Sequence, residues 1–153
     1  MRLSLPLLLV VGLLALPVTS PAQAQRPESD LGVGVQIGNP VGVTLRTDQA
    51  YRSPIEGLVA WDLAGGALFA SGHLILFEQP LPLEDGAPAY LFIGPGAYLS
   101  AGDDHFDLGA SGRAGLSYFI APLELFVQVS PRFNVLPDTD VGLGGGLGAR
   151  YYF

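Results

Sequence analysis

A serine and a histidine two residues apart are the most reactive pair in the sequence. Ser71 and His73 would lie on one face of a β-strand, because alternate side chains of a strand point the same way. A serine nucleophile also needs an acid that orients its base, and the neighbouring sequence offers no evident acid for that role. We predict a polar pair inside the fold and no catalytic site, with catalysis by this pair left as an alternative.

An acidic segment is the second place where chemistry could occur. Asp103, Asp104, His105 and Asp107 follow one another closely after Gly102. A Ca²⁺ site usually takes six or more oxygen ligands in a defined spacing with a turn glycine between them, and this segment does not have that spacing. We expect a solvated loop tip and no metal site, while weak contact with divalent cations is left open.

The composition excludes several other kinds of site. The chain has no cysteine, so disulfides, thiolate catalysis, cysteine-based zinc sites and lipid attachment to cysteine are ruled out. All seven basic residues are arginine, and the formal net charge at pH 7 is −7. Nucleic-acid binding requires the opposite balance of charge. We therefore expect no cofactor, no metal and no nucleic-acid partner.

Alternating apolar and small or polar residues define the elements that carry these side chains. The clearest case is the C-terminal segment, where side chains of a strand would fall on two opposite faces. One face would carry Val141, Leu143, Gly145, Leu147, Ala149, Tyr151 and Phe153. The other would carry Gly142, Gly144, Gly146, Gly148, Arg150 and Tyr152.

The same alternation recurs between turn residues from Leu31 to Phe153 and predicts eight strands. An even number of antiparallel strands returns both ends of the chain to one side, and eight strands form the smallest common membrane barrel. A closed barrel has no edge strand where the missing N–H of a proline is harmless. We expect Pro54 and Pro131 at strand ends and a bulge or bend at Pro95.

Hydropathy distinguishes this chain from an ordinary soluble domain. Charged residues make up only 14% of it and the mean hydropathy is +0.41, yet no apolar run after residue 24 approaches the roughly 20 residues of a membrane helix. The apolar residues must therefore be spread by alternation. The fold class predicted is all-β, an eight-stranded antiparallel up-and-down transmembrane β-barrel.

The N-terminus has the features of a secretory signal peptide. Arg2 precedes an apolar core from Leu5 to Val18, and Ala22-Gln23-Ala24 is a small-residue cleavage site. We predict a cleaved signal peptide over residues 1–24, a flexible lead-in over residues 25–30 and the barrel domain over residues 31–153.

The charged residues are expected to point into the barrel and the apolar residues toward lipid. An eight-stranded barrel has an interior just wide enough for side chains to fill, so small and charged residues fit inside better than a full apolar face. Such charges must pair, because an unpaired buried charge is costly. We expect Glu124 and Arg150 to meet in a lower-lumen cluster. The predicted luminal charges are Arg46, Glu56, Arg113, Glu124, Arg132 and Arg150.

The end of the chain resembles the C-terminal signature of bacterial outer-membrane barrels. It has a terminal phenylalanine, a tyrosine two residues earlier and apolar residues alternating upstream. The resemblance implies that the barrel-insertion machinery recognises the last strand. The recognition face would be Leu147, Ala149, Tyr151 and Phe153.

The chain from residue 31 onward is similar to small OmpA/OmpX-type barrels, and within them to a functionally uncharacterised group of short proteins. The shared motifs are G-x-G-x-Q-x-G-x-P-x-G from Gly32 to Gly42, P-L-E-x-F from Pro122 to Phe126, and the final R-Y-Y-F. This resemblance implies a fold and a location in the outer membrane of a Gram-negative bacterium. It implies no activity.

Three classes of function follow from these features. We favour a structural or surface-interaction barrel whose partners are outer-membrane lipid, lipopolysaccharide and, during assembly, the insertion machinery. A lipid-modifying enzyme is a second possibility, although lipid A deacylases on barrel walls place His before Ser, the reverse of the order here. A soluble periplasmic barrel that binds an apolar ligand is the third. A solute pore is disfavoured, because eight strands leave no open channel once large side chains enter.

Overall fold

A computed structural model describes residues 26–27, 29–48, 52–62, 66–83 and 88–153 of the chain. The predicted signal peptide over residues 1–24 lies outside the described residues. No helix that is long and apolar enough to cross a bilayer occurs among the described residues. The strands in this part of the chain are β1 Leu31–Asn39, β2 Gly42–Thr47, β3 Ile55–Asp62, β4 Ala67–Leu74, β5 Phe77–Leu81, β6 Ala89–Ala101, β7 Phe106–Ile120, β8 Leu123–Leu136 and β9 Asp140–Tyr152.

The strands form one closed antiparallel barrel. Each strand from β1 to β4 pairs with the next, β6 to β9 do the same, and β1 pairs with β9. The circle closes because β4 and β5 both pair with β6, one above the other. They therefore act as a single interrupted barrel strand, which gives the eight-stranded up-and-down barrel that the sequence predicts.

The interruption between β4 and β5 is a bulge that lies opposite Pro95. His73 pairs with Gly96 and Phe77 pairs with Ile93, so three residues on one strand face two on the other. The oxygen of Ile93 accepts a hydrogen bond from the backbone N of Leu76, so the backbone of Pro95, two residues later, faces the same strand. At the bulge no residue of β4 or β5 pairs with Pro95, so the missing N–H of this proline leaves no backbone oxygen without its bond. The irregularity that the sequence predicts at Pro95 is confirmed.

Two other prolines lie inside strands, and the structure corrects the sequence-based boundaries there. Pro131 was expected at a strand end but lies within β8, which continues to Leu136. The pairing of β7 with β8 is interrupted next to it, between Ser111 and Ala114, so no partner loses a bond to the missing N–H. Pro80 likewise lies within β5. The sequence predicts a polar break from Glu78 to Gly86, where two prolines and three acids occur, but β5 runs four residues into that segment.

Side chains alternate between a buried interior and an exposed apolar exterior. In β8, Leu123, Leu125, Val127 and Val129 are each 42–52% exposed, whereas the residues between them are buried. The exterior is lined by large apolar side chains on every strand of the barrel. This surface is apolar where a soluble protein is charged, and the structure is that of a transmembrane barrel with its charged face inside.

The interior is packed by rings lying on glycines. At five places an aromatic or imidazole ring lies directly across from a glycine on the neighbouring strand, where a Cβ atom would come within 3 Å of the ring. The absent side chain leaves a flat patch that the ring covers, so a narrow barrel can hold large groups. The pairs are Gly32–Tyr152, Gly96–His73, Gly109–Tyr98, Gly115–Phe92 and Gly148–Phe126.

We expect Gly115→Ala to destabilise the barrel by about 1–3 kcal/mol, the usual cost of overpacking a filled interior. A Cβ at this position would lie 2.6 Å from Cζ of Phe92, which is fully buried, and closer still to the backbone oxygen of Val127. The measurement is the free energy of unfolding in urea for the barrel refolded in detergent micelles.

The matched control is Gly142→Ala on the inward face of β9. Its Cβ would meet only the Cβ of Arg132, at 4.0 Å, so the free energy of unfolding should change by less than about 0.5 kcal/mol. Equal effects of the two substitutions would contradict the role assigned to the glycine–ring pairs.

Candidate functional site

The centre of the lumen is a carboxylate held by three arginines. Glu56 on β3 accepts hydrogen bonds from Arg46 on β2, Arg113 on β7 and Arg150 on β9, at 3.1, 3.2 and 3.2 Å. Arg46 lies directly across from Glu56 in the β2–β3 ladder, whereas the other two arginines reach it from the far wall. The carboxylate therefore ties together strands that share no backbone hydrogen bonds.

A second carboxylate lies beside the first. Glu124 on β8 is directly opposite Arg150 on β9, and Nη1 of Arg150 is 3.0 and 3.1 Å from its two oxygens. The hydroxyls of Ser117 and Tyr152 also donate to Glu124. The Glu124–Arg150 contact expected from the sequence is present, and it shares Arg150 with Glu56.

Arg150 is also held by neutral groups. Its Nε and Nη2 donate to the hydroxyl of Thr44 at 3.1 and 3.0 Å, and its guanidinium carbon lies 4.0 Å from the ring centroid of Phe126. Because Phe126 rests on Gly148, the glycine–ring packing supports the position of the charge. The side chain is fully buried and its nitrogens all have partners.

The network continues to the lower end of the barrel, where the chain enters β1. Arg46 contacts Glu78 at 2.8 Å and Asp48 at 3.5 Å. Arg26, which precedes the barrel, pairs with Glu78 and lies over the rings of Tyr90 and Phe119. Burial acts to lower the pKa of Arg26, but the hydrogen bond to Glu78 and the charges of Asp48 and Glu78 outweigh it and raise the pKa above its ordinary value.

Charge in this network is balanced. Among the described residues, ion pairs connect four arginines with four acids, so the formal charges cancel within this network. Balance matters here because a buried charge without a partner costs several kcal/mol, whereas a fully bonded cluster is tolerated. The arginines are Arg26, Arg46, Arg113 and Arg150, and the acids are Asp48, Glu56, Glu78 and Glu124.

Above the network, the polar side chains make smaller contacts. Nε2 of His73 is 2.7 Å from the hydroxyl of Ser111, and Arg113 donates to Ser71 at 3.2 Å. The serine that contacts the imidazole is thus Ser111 on β7 and not Ser71. Because Ser111 and His73 are 38 residues apart, no local sequence pattern could predict their contact. Among the described residues, no group bonds Nδ1 of His73, so the imidazole has no orienting acid there.

The space around this pair is very small. The cavity bounded by Ser71, His73, Ser111 and Arg113 holds about 10 Å³, which is the space of one water molecule. Below this cavity, the network side chains Arg46, Glu56, Glu124 and Arg150 are 0% exposed. The arrangement can hold charge and a water molecule.

Five of the six predicted luminal charges belong to the network, and Arg132 does not. Its Nη2 donates to the backbone oxygen of Asn39 at 3.0 Å, and its guanidinium lies over the ring of Phe69. Among the described residues it makes no ion pair with a carboxylate within 4.0 Å. It lies near the upper end of β8, too far along the strand to reach Glu56.

The acidic segment forms the tip of the β6–β7 hairpin. The backbone N of Gly102 donates to the oxygen of His105 at 2.9 Å, and β7 already begins at Phe106, within the expected loop. In the part of the chain that the structure describes, no three acidic or histidine side chains lie close enough to hold a metal ion.

The residues expected to signal assembly lie together on the outside of β9. Leu147, Tyr151 and Phe153 are exposed, and Ala149 lies between them on the same face. The ring of Tyr151 packs edge-on against that of Phe153 at 5.1 Å. Their recognition by insertion machinery stays a prediction.

Comparison with known proteins identifies no relative whose functional residues could be compared with those of this chain. No family model, curated protein or solved structure matches the chain.

We expect Glu124 and Arg150 to be strongly coupled in stability. Glu124→Gln and Arg150→Gln should each cost about 3–5 kcal/mol, because each leaves a buried charge without its main partner. The double variant should cost at least about 1 kcal/mol less than the two single effects added together. The free energy of unfolding of the four proteins in micelles gives this coupling directly.

A matched cycle with Glu124→Gln and Arg132→Gln provides the control. Arg132 makes no contact with Glu124, so these two effects should add within about 0.5 kcal/mol. Additive behaviour of the Glu124–Arg150 pair as well would show that their contact carries no stability.

Proposed function

We propose that this chain is a small integral outer-membrane β-barrel with a structural or surface-interaction role. The observation that carries the proposal is the distribution of side chains, with apolar residues outside on every strand and paired charges inside. An apolar exterior of this extent is stable only against acyl chains or a partner of similar polarity.

The choice of the outer membrane is supported by features of the sequence. A signal peptide would export the chain, and the terminal Phe153 with Tyr151 resembles the assembly signal of outer-membrane barrels. The number of barrel strands is that of small OmpA/OmpX-type barrels, to which the motifs at both ends of the barrel domain are similar.

A non-catalytic role is supported by how the lumen is filled. The four charged side chains Arg46, Glu56, Glu124 and Arg150 are 0% exposed, so solutes have no route past them. Ser111 and His73 form the hydrogen bond that a lipid-modifying enzyme would use, but the space beside them admits a water molecule and not an ester. An apolar ligand would displace charged groups from the lumen at high cost.

After signal cleavage, we expect the protein in the outer-membrane fraction, soluble only after detergent is added. Folded barrels resist denaturation in cold detergent, so the unheated protein should migrate differently from the heated protein on a gel. Membrane fractionation followed by this heat-shift assay tests the proposal. Recovery as a freely dissolved monomer without detergent would overturn it.

We also expect Phe153→Ala to lower the fraction of protein that assembles in cells by several-fold while leaving the refolded barrel stable. The exposed ring makes few contacts inside the protein, so its loss should affect recognition more than folding. The heat-shifted fraction in cells and after refolding in vitro measures the two effects separately.

Phe133→Ala is the matched control, because Phe133 is an exposed ring at the opposite end of the barrel. It should assemble normally. Equal loss of assembly in both variants would argue against a recognition role for the C-terminal residues.

A further inference from the structure

The strands end at different heights at the upper end of the barrel, so this end forms an open cavity, here called the cup, whose low wall is the β1–β2 hairpin. Asn39 at the top of β1 pairs with Gly145, so residues 140–144 of β9 extend above β1 and pair only with β8. The β6–β7 pair rises to Ala101 and Phe106. The longer strands therefore surround a cavity of about 190 Å³ that is open above the β1–β2 hairpin.

Charges of both signs face this cavity without pairing with one another. Arg132, Asp107 and Asp140 line it, and Asp107 also accepts a hydrogen bond from Asn134 at 3.1 Å. Among the described residues Arg132 has no carboxylate within 4.0 Å. This is the reverse of the lower lumen, where the charges are paired. A guanidinium and carboxylates held apart across a cavity can be bridged by a ligand that both donates and accepts hydrogen bonds.

Aromatic rings hold the guanidinium in place at the cavity. Phe69 and Tyr98 are stacked, with centroids 5.8 Å apart, and the guanidinium carbon of Arg132 lies 4.6 Å from the centroid of Phe69. Its bond to the oxygen of Asn39 fixes it further. A donor that is positioned before the ligand arrives loses little freedom on binding, which favours recognition of a small molecule.

We propose that this cup binds a single sugar ring, neutral or carrying an amine. One sugar hydroxyl can accept from Arg132, others can donate to Asp107 or Asp140, and Ser100 adds a further hydroxyl to the wall. Among the described residues, two carboxylates and one guanidinium line the cup, and this negative balance disfavours phosphate and other anions.

The size of the cavity agrees with such a ligand. It is much larger than the space of one water molecule, about 10–15 Å³. It is smaller than the roughly 300–1,000 Å³ of pockets for drug-sized molecules. In the outer-membrane location proposed above, the low wall would open toward the membrane surface, so that sugars of surrounding lipid and free sugars, which share the same chemistry, could both reach it.

The test uses the processed chain refolded in an amine-oxide detergent, which has no sugar headgroup. Saturation-transfer difference NMR is recorded with D-glucose and with D-glucosamine, and with glycine as a zwitterionic probe. Inorganic phosphate is followed by ³¹P relaxation. We expect transfer to the sugars and neither transfer to glycine nor relaxation of phosphate. A lipopolysaccharide headgroup that competes with glucose would identify surrounding lipid as a source.

Variants of the cup make the test specific. Arg132→Gln and Asp107→Asn should each weaken sugar binding by about tenfold or more, the loss expected for a hydrogen bond to a charged group. Asp104→Asn makes the same charge change at the exposed hairpin tip, outside the cup, and should leave binding unchanged. If either cup variant fails the heat-shift test of folding, Asp140→Asn replaces it.

Three results would overturn the proposal. These are no transfer to either sugar, unchanged binding in the cup variants, and stronger binding of glycine or phosphate than of sugar. Because binding is measured on refolded protein, failure here is distinguishable from failure of the outer-membrane proposal, which fractionation of cells tests separately.

Discussion

The pairing of charge inside a narrow barrel is the interaction on which the rest of this structure depends. With apolar side chains facing outward, the charged side chains of the network are directed into a lumen that has little room for water. Glu56 is the centre of this charge pairing, because it binds three arginines from three different strands. Because those strands lie around the circumference, the same contacts that neutralise charge also hold opposite walls together.

The glycines make this arrangement possible. A guanidinium is bulky, and an eight-stranded barrel has almost no spare volume. A ring that packs against a glycine on the neighbouring strand makes many contacts while it occupies little of the lumen. Phe126 is such a ring, and it in turn supports Arg150. Charge pairing and ring packing are therefore parts of one interior rather than separate features.

The two ends of the barrel differ because the strands differ in length. At the lower end, Arg26 and Glu78 extend the balanced network to the mouth of the lumen. At the upper end, β1 and β2 stop early while β8 and β9 continue. Arg132 lies on the part of β8 that rises above the network, so among the described residues it shares none of the ion pairs of the lower lumen.

The alternation in the sequence was enough to predict the closed barrel, its outer face and most strand positions. It also located the bulge at Pro95, because a central proline requires one. It failed at Pro131 and after Glu78, where strands continue through prolines. There the neighbouring ladder is interrupted or the strand is short, and a single strand's sequence carries no information about its neighbour.

The candidate site, like the fold, could be predicted from the sequence only in part. Alternation is a local property, so the sequence by itself determined which residues point inward, including the six charges and the polar pair Ser71 and His73. Which of those residues meet depends on register and on closure of the barrel, which join positions far apart in the chain. Only the tertiary structure could bring Ser111 to His73 and Arg113 to Glu56, 57 residues apart. It also left Arg132 outside the network, because height along the barrel axis is set by strand pairing and not by the order of residues.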